Sequence, residues 1–260
     1  MINNFKFSII TVVFNSPSIE RTIISINNQT YTNFEHIIID GFSTDNTLEL
    51  IKSISTSKQI LYSEIDNGIY DAMNKGLKVC TGDFAIMLNA GDVLNSNNSL
   101  EKINDFIFDK NHVFYTQAAV LDNNHRLLYI KPFKSDLVLN RIKNFPIHQS
   151  VIVPKIYFNL QYDTNFSICS DSLYLIELFK RTNPIYINFI GVNFYIGGIS
   201  NAYKTIKELK LVLKETLYLV KIYEKNILYN SIKVYIKFYI KYLLNNLLAT
   251  NFILKLKNFK

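Results

Sequence analysis

Apolar residues in the first ninety positions fall into short β-branched runs that alternate with helix-spaced stretches. Phe7–Phe14 reads as a buried strand, and Pro17 opens a helix with Ile19, Ile23 and Ile26 on one face. Phe34–Asp40 is a second strand, giving a βαβ beginning. The alternation continues with a helix from about residue 45 (Leu48, Ile51, Ile54), a strand at Gln59–Ser63, a helix from Gly68 to Val79 and a strand at Phe84–Leu88. Right-handed crossovers make these strands parallel. Beyond Asp92 the rhythm changes. Val113–Ala119 and Arg126–Lys131 flank Asp122-Asn123-Asn124-His125 as a hairpin, and Val151–Val153 is a further strand. A helix is expected over 171–181, a strand at Tyr186–Ile190, and a helical tail from Ala202 after the break at Gly197-Gly198. The expectation is an α/β fold: a mixed sheet flanked by helices over residues 1–200, and a helical tail over 201–260.

The polar residues that interrupt this pattern cluster at one place. Asn15 follows the first strand, Asp40 ends the second, Glu64 and Asp66 follow the third, and Asn89-Ala90-Gly91-Asp92 follows the fourth. All sit at strand carboxyl ends, where open α/β sheets bind ligands. Several of the acidic residues in these segments have a plainer reading. Asp40 can cap its own turn, Asp45 before Asn46-Thr47 is an ordinary helix start, and Asp71 and Lys75, four apart, can pair on a helix surface.

Composition changes the picture mainly in the tail. A chain of 260 residues, 48% hydrophobic and 14% aromatic, supports one sizeable core. Cys80 and Cys169 lack the spacing of a zinc site or disulfide framework, so reduced thiols are expected. The N-terminal apolar run is too short and too β-branched for a signal peptide, and lysines interrupt every candidate membrane span. A cytoplasmic location is expected, peripheral at the inner face of the plasma membrane. Residues 201–260 hold twelve lysines against Glu208, Glu215 and Glu224, which localises the net charge of +7 there. From Ile232, an apolar face (Tyr235, Ile236, Tyr239, Leu243, Leu247) opposes Lys233, Lys237 and Lys241. Such a helix can lie on an anionic membrane, at about 1 kcal/mol per lysine, or pack on the rest of the chain. No nucleic-acid partner is expected, because the tail has no arginine. His36, His112 and His125 lack metal-ligand spacing, and neither a nucleophile elbow nor a phosphate loop is present.

Three segments together resemble the family 2 glycosyltransferases of GT-A (Rossmann-like) fold: Ser8–Asn15, Asp40–Thr47 (Asp-Gly-Phe-Ser-Thr-Asp-Asn-Thr), and Ser63–Gly76 leading into Thr81-Gly82-Asp83. The likeness is close over residues 7–95 and looser through Pro146–Ser150 and Cys169–Asp171 to Gly197–Ser200. It implies a donor half (1–95) and an acceptor half (96–200). It places Thr11, Asn15, Asp40, Asp66 and Asn89 on a UDP-, GDP- or dTDP-sugar, and makes Asp171 the general base of an inverting transfer. Asp171 also reads as the first turn of a capped helix. The family's paired carboxylates are reduced here to Asp92, the expected ligand of a divalent cation (Mg or Mn). His148 is a second candidate ligand or, alternatively, a packed histidine. The implied activity is transfer of a sugar to a saccharide or lipid-linked acceptor in bacterial surface polysaccharide synthesis. Asn89, and Phe42 in place of the usual glycine, leave open an inactive nucleotide-sugar-binding or scaffold protein.

Overall fold

The run from Phe7 forms a strand buried on both faces, β1 (Phe7–Val13), and its alternation divides the core. Ile10 and Val12 join one apolar cluster, Ile9 a second and Val13 a third. The computed structural model describes residues 4–131, 145–196, 206–223 and 231. Its further strands are β2 (Phe34–Asp40), β3 (Gln59–Ser63), β4 (Phe84–Met87), β5 (Val93–Leu94), β6 (Phe114–Leu121), β7 (Leu127–Lys131), β8 (Val151–Pro154) and β9 (Ile185–Tyr195). The helices are α1 (Ile19–Asn27), α2 (Thr47–Ser53), α3 (Ile69–Val79), α4 (Ser99–Phe106), α5 (Ser170–Arg181) and α6 (Ile206–Tyr223).

The strands form one mixed sheet in the order β3-β2-β1-β4-β8-β6-β9-β5, with β7 paired to β6. The first four strands are parallel, as the crossover rule requires, and β8 then runs antiparallel to β4. Register brings Val13 opposite Asp40 and Asp40 opposite Ser63, so the polar strand ends are level with one another. Helix α3 lies so close to β1 that a Cβ at Gly76 would run into the Ile10 side chain. At the opposite end of these strands, buried Glu35 accepts hydrogen bonds from Ser8 Oγ (2.6 Å), Lys6 Nζ (2.7 Å) and Thr81 (N 2.8 Å, Oγ1 2.6 Å). Burial acts to raise the Glu35 carboxyl, but these donors outweigh it and hold it at about 2.

Strand β9 and helix α4 differ from expectation. The last sheet strand is longer than predicted, Ile185–Tyr195, because its far end finds a parallel partner in β6 and an antiparallel one in β5. Helix α4 lies in a stretch where no element is predicted, although Leu100 and Ile103 have the spacing its buried face requires. Helix α6 packs on the sheet domain: Val212, Leu219 and Val220 are buried, and the Tyr218 ring meets Phe166 edge-on at 5.4 Å. The Gly197-Gly198 break and the Lys233, Lys237 and Lys241 stripe lie outside the described residues. Among those described, no helix is long and apolar enough to cross a membrane.

Candidate functional site

The loop after β2 is tied down from within. Asp40 is fully buried, and its carboxylate accepts from Ser43 N (3.0 Å), Ser43 Oγ (2.5 Å) and Ser63 Oγ (2.7 Å). The turn-capping role of Asp40 is therefore present in the structure, and about one lone pair on Oδ1 is left over. Asn15, at φ 45°, uses its Oδ1 to accept from Thr44 N (2.8 Å), while its own N–H donates to Ser43 Oγ (2.8 Å). Asparagine tolerates this left-handed conformation better than most residues. Asp66 reaches over the same loop, where its Oδ2 lies 2.6 Å from the position a Cβ on Gly41 would take, and its Oδ1 accepts from Gly68 N at 2.8 Å. Asn15, Asp40 and Asp66 thus converge. Asp71 instead lies 3.6 Å from Lys75, which also pairs with Glu64 at 3.1 Å.

Thr11 does not join them. It is fully buried within β1, its hydroxyl 2.9 Å from His36 Nε2, and burial drives that histidine's pKa down to about 3. The strand alternation that puts Thr11 between Ile9 and Val13 carried this signal.

Phe42 occupies the crown of the loop, at φ 66° and 55% exposed. Left-handed backbone is costly for a bulky residue and nearly free for glycine. Replacing Phe42 with Gly should raise stability by about 1 kcal/mol, because the strain relieved outweighs the small burial the exposed ring provides. A thermal unfolding curve that moves downward instead would show that the ring is packed.

The turn after β4 is fastened to α1: Gly91 N donates to Thr22 Oγ1 (2.8 Å), which donates to Asp92 O (2.7 Å). Asp92 is 5% exposed, and its carboxylate accepts from Gln149 Nε2 (2.9 Å) and Tyr195 N (2.9 Å). Burial lifts its pKa to about 7, against the pull of these donors and of Arg21, whose guanidinium lies 3.8 Å over the Tyr195 ring. Asn89 Oδ1, at the start of the same turn, is buried with no hydrogen-bond partner among the described residues. A carboxylate penalised for ionising and an orphaned amide oxygen both gain from a hard cation.

His148 is placed elsewhere. Its Nε2 lies 2.5 Å from Tyr162 Oη, it faces a small apolar cavity with Leu77, Met87 and Tyr174, and burial lowers its pKa to about 4. A packed histidine fits this placement, and the hydrogen bond to Asp92 comes from its neighbour Gln149. Among the described residues no three His, Cys, Asp or Glu side chains gather at one point.

Asp171 lies in the first turn of α5, half-buried, with Oδ1 accepting from Ser172 N at 2.6 Å. Burial raises its pKa above the ordinary carboxylate value, which suits a proton acceptor. Arg21 and Glu215 give no signal in the sequence, while Ser43, Ser63 and Gln149 lie in the flagged segments without showing their roles, since each acts through a partner that only folding supplies.

The family model described as glycosyl transferase family 2 matches residues 8–182. A "PGL/p-HBAD biosynthesis glycosyltransferase" of Mycobacterium bovis is 27% identical over 206 residues, covering 75% of this chain and 79% of that protein. A Haemophilus influenzae protein described as an uncharacterized glycosyltransferase is 34% identical over 115 residues, 43% of this chain and 45% of its own. Among solved structures, S. aureus TarS 1-349 in complex with UDP-GlcNAc matches with TM-score 0.64 at 18% identity, covering 82% of this chain and 66% of that one. The mannosyltransferase PcManGT from Pyrobaculum calidifontis, in complex with GDP-Man and Mn2+, matches with TM-score 0.57 at 15% identity, covering 84% and 62%. This chain spans 40% of the longer TarS chain. With the family model running from β1 to the end of α5, and the GT-A architecture shared with these solved structures, the chain belongs to glycosyl transferase family 2 and is a glycosyltransferase.

Proposed function

We propose that the chain transfers one sugar from a nucleotide donor to a hydroxyl of a saccharide or lipid-linked saccharide, with inversion, in assembly of a bacterial surface polysaccharide. The observation that carries this reading is the β4 turn. There the buried Asp92 carboxylate and Asn89 Oδ1, which has no hydrogen-bond partner among the described residues, lie at the same strand ends as Asn15 and Asp66. Support for the donor class comes from TarS, solved with UDP-GlcNAc, and PcManGT, solved with GDP-Man and Mn2+. Support for sugar transfer within a biosynthetic sequence comes from the mycobacterial relative named a PGL/p-HBAD biosynthesis glycosyltransferase.

In this reading Asn15 and Asp66 hold the nucleoside, while Asp40 keeps the loop between them in shape. Asn89 and Asp92 are an oxygen-only set, suited to Mg or Mn, which take one or two protein carboxylates and complete their shell with phosphate oxygens and water. When bound, such an ion offsets the negative charge that gathers on the departing nucleoside diphosphate. Asp171 accepts the proton of the acceptor hydroxyl as that oxygen bonds to the anomeric carbon. The bond from that carbon to the diphosphate oxygen breaks at the same time, and its electron pair leaves with the diphosphate. Attack opposite the leaving group inverts the centre.

Thermal unfolding with UDP, GDP or dTDP, each with and without Mn2+, tests this. A ligand at about one hundred times its Kd adds roughly 2.7 kcal/mol to the folded state. We expect one nucleotide to raise the transition by several degrees, mostly when Mn2+ is present, and Asp92→Asn to remove the Mn2+-dependent part. No rise with any nucleotide would overturn the donor assignment.

A further inference from the structure

Glu215 is one of three acidic residues among the twelve lysines of residues 201–260, yet among the described residues it pairs with no lysine. It projects from α6 into the protein, 6% exposed. There it accepts three backbone hydrogen bonds, from Ser167 N (2.8 Å), Ile168 N (3.0 Å) and Cys169 N (2.9 Å). These amides immediately precede α5, whose start has no side-chain cap of its own. Converging N–H groups of this kind form an anion cradle, and here the chain fills it with its own carboxylate. The same turn is gripped from the other side by α3, where Tyr70 Oη donates to Ile168 O at 2.6 Å. Asp171 begins two residues later, so the turn that launches it is fixed from two helices.

We propose that Glu215 is a positioning residue for sugar transfer: by holding the 167–169 turn it sets where the Asp171 carboxylate stands, which makes α6 a working part of the transferase rather than an appendage. The proposal rests on the reading of Asp171 as the base. A cap that served stability alone would cost folding energy when removed and leave the turnover of the folded protein intact. A positioning residue costs turnover in protein that is still folded and still binds donor, because displacing a catalytic group by about 1 Å costs on the order of 100-fold.

The experiment uses the full chain. Wild-type release of nucleoside diphosphate is measured on a panel of UDP-, GDP- and dTDP-sugars, and the donor consumed fastest becomes the probe. Glu215→Ala, Glu215→Gln and Asp171→Asn are then compared at a temperature where each is folded by circular dichroism. Glu215→Ala should lose about 10- to 100-fold in kcat with donor KM within about twofold of wild type. Glu215→Gln, which keeps one oxygen for the Ile168 and Cys169 amides, should recover most of that loss, and it stands alone if the alanine variant fails to fold. Adding Glu215→Ala to Asp171→Asn should cost nothing further, since one acts through the other. Unchanged kcat in folded Glu215 variants, with Asp171→Asn inactive, overturns this proposal alone. Full turnover in Asp171→Asn, or no donor consumed by wild type, overturns the reading beneath it as well.

Discussion

Asp171→Asn should lower turnover by about 100- to 10,000-fold while leaving donor binding intact, the span that a positioned general base contributes. Asparagine keeps the size of the side chain and the oxygen that accepts from Ser172 N at 2.6 Å, so the α5 start is preserved while the proton acceptor is removed. The wild-type enzyme carries a second signature. Burial raises the Asp171 pKa above the ordinary aspartate value, and a base works only when deprotonated. The acid limb of the kcat profile should therefore lie at higher pH than an ordinary aspartate would give, and vanish in the variant. Retention of more than about a tenth of wild-type turnover, with the limb unmoved, would remove Asp171 from the chemistry.

Asp40→Ala is the second large effect, and it falls on folding. The carboxylate is fully buried and holds Ser43 N, Ser43 Oγ and Ser63 Oγ, so truncation leaves the two donors of buried Ser43 without an acceptor and releases the exposed Ser63 hydroxyl. Hydrogen bonds to a charged group contribute roughly 1.5–3 kcal/mol each, and water entering the gap recovers part of that, so a net cost of about 3 kcal/mol is expected. For a chain of this size that is a fall of roughly 6–12 °C in Tm. The 41–45 loop also carries the Asn15 hydrogen bonds, so nucleotide-induced stabilisation should disappear even below the lowered Tm. A variant within about 2 °C of wild type that still responds to nucleotide would show that the loop holds its shape without Asp40.

The donor-side framework is legible in the sequence because local rules govern it. Strand β2 is readable to the residue, since Phe34 and the β-branched run Ile37–Ile39 lead directly into the Asp40 carboxylate. That the polar strand ends gather at one edge of the sheet follows from parallel pairing alone. Hidden is the division of labour among those polar groups. Asp40 looks like a ligand-facing acid, but Ser43 and Ser63 claim it, and Ser63 does so from 23 residues away through a strand register no motif records. His148 and Gln149 are adjacent, and only the 3-10 turn they share decides which one meets Asp92. That hydrogen bond spans 57 residues and the one from Tyr195 spans 103, beyond the reach of periodicity. Glu215 is disguised by the charge of its surroundings: in a lysine-rich tail a glutamate reads as an i,i+4 partner, not as the acceptor for a distant turn.

The sheet order bears on how such an enzyme can be re-engineered. Strand β4 is hydrogen-bonded to β8, and β5 to the far end of β9, so the two halves of the chain share one uninterrupted sheet. A chimera joined at residue 95 would rebuild all of these pairings between two parent sequences at once, and a fragment ending there would leave the edge of β4 bare, an open template for aggregation. Interchange of specificity between relatives should therefore proceed by grafting the loops at the strand ends onto an intact sheet. The donor and acceptor halves are names for stretches of sequence, and the sheet they share is the smallest unit that can be transplanted.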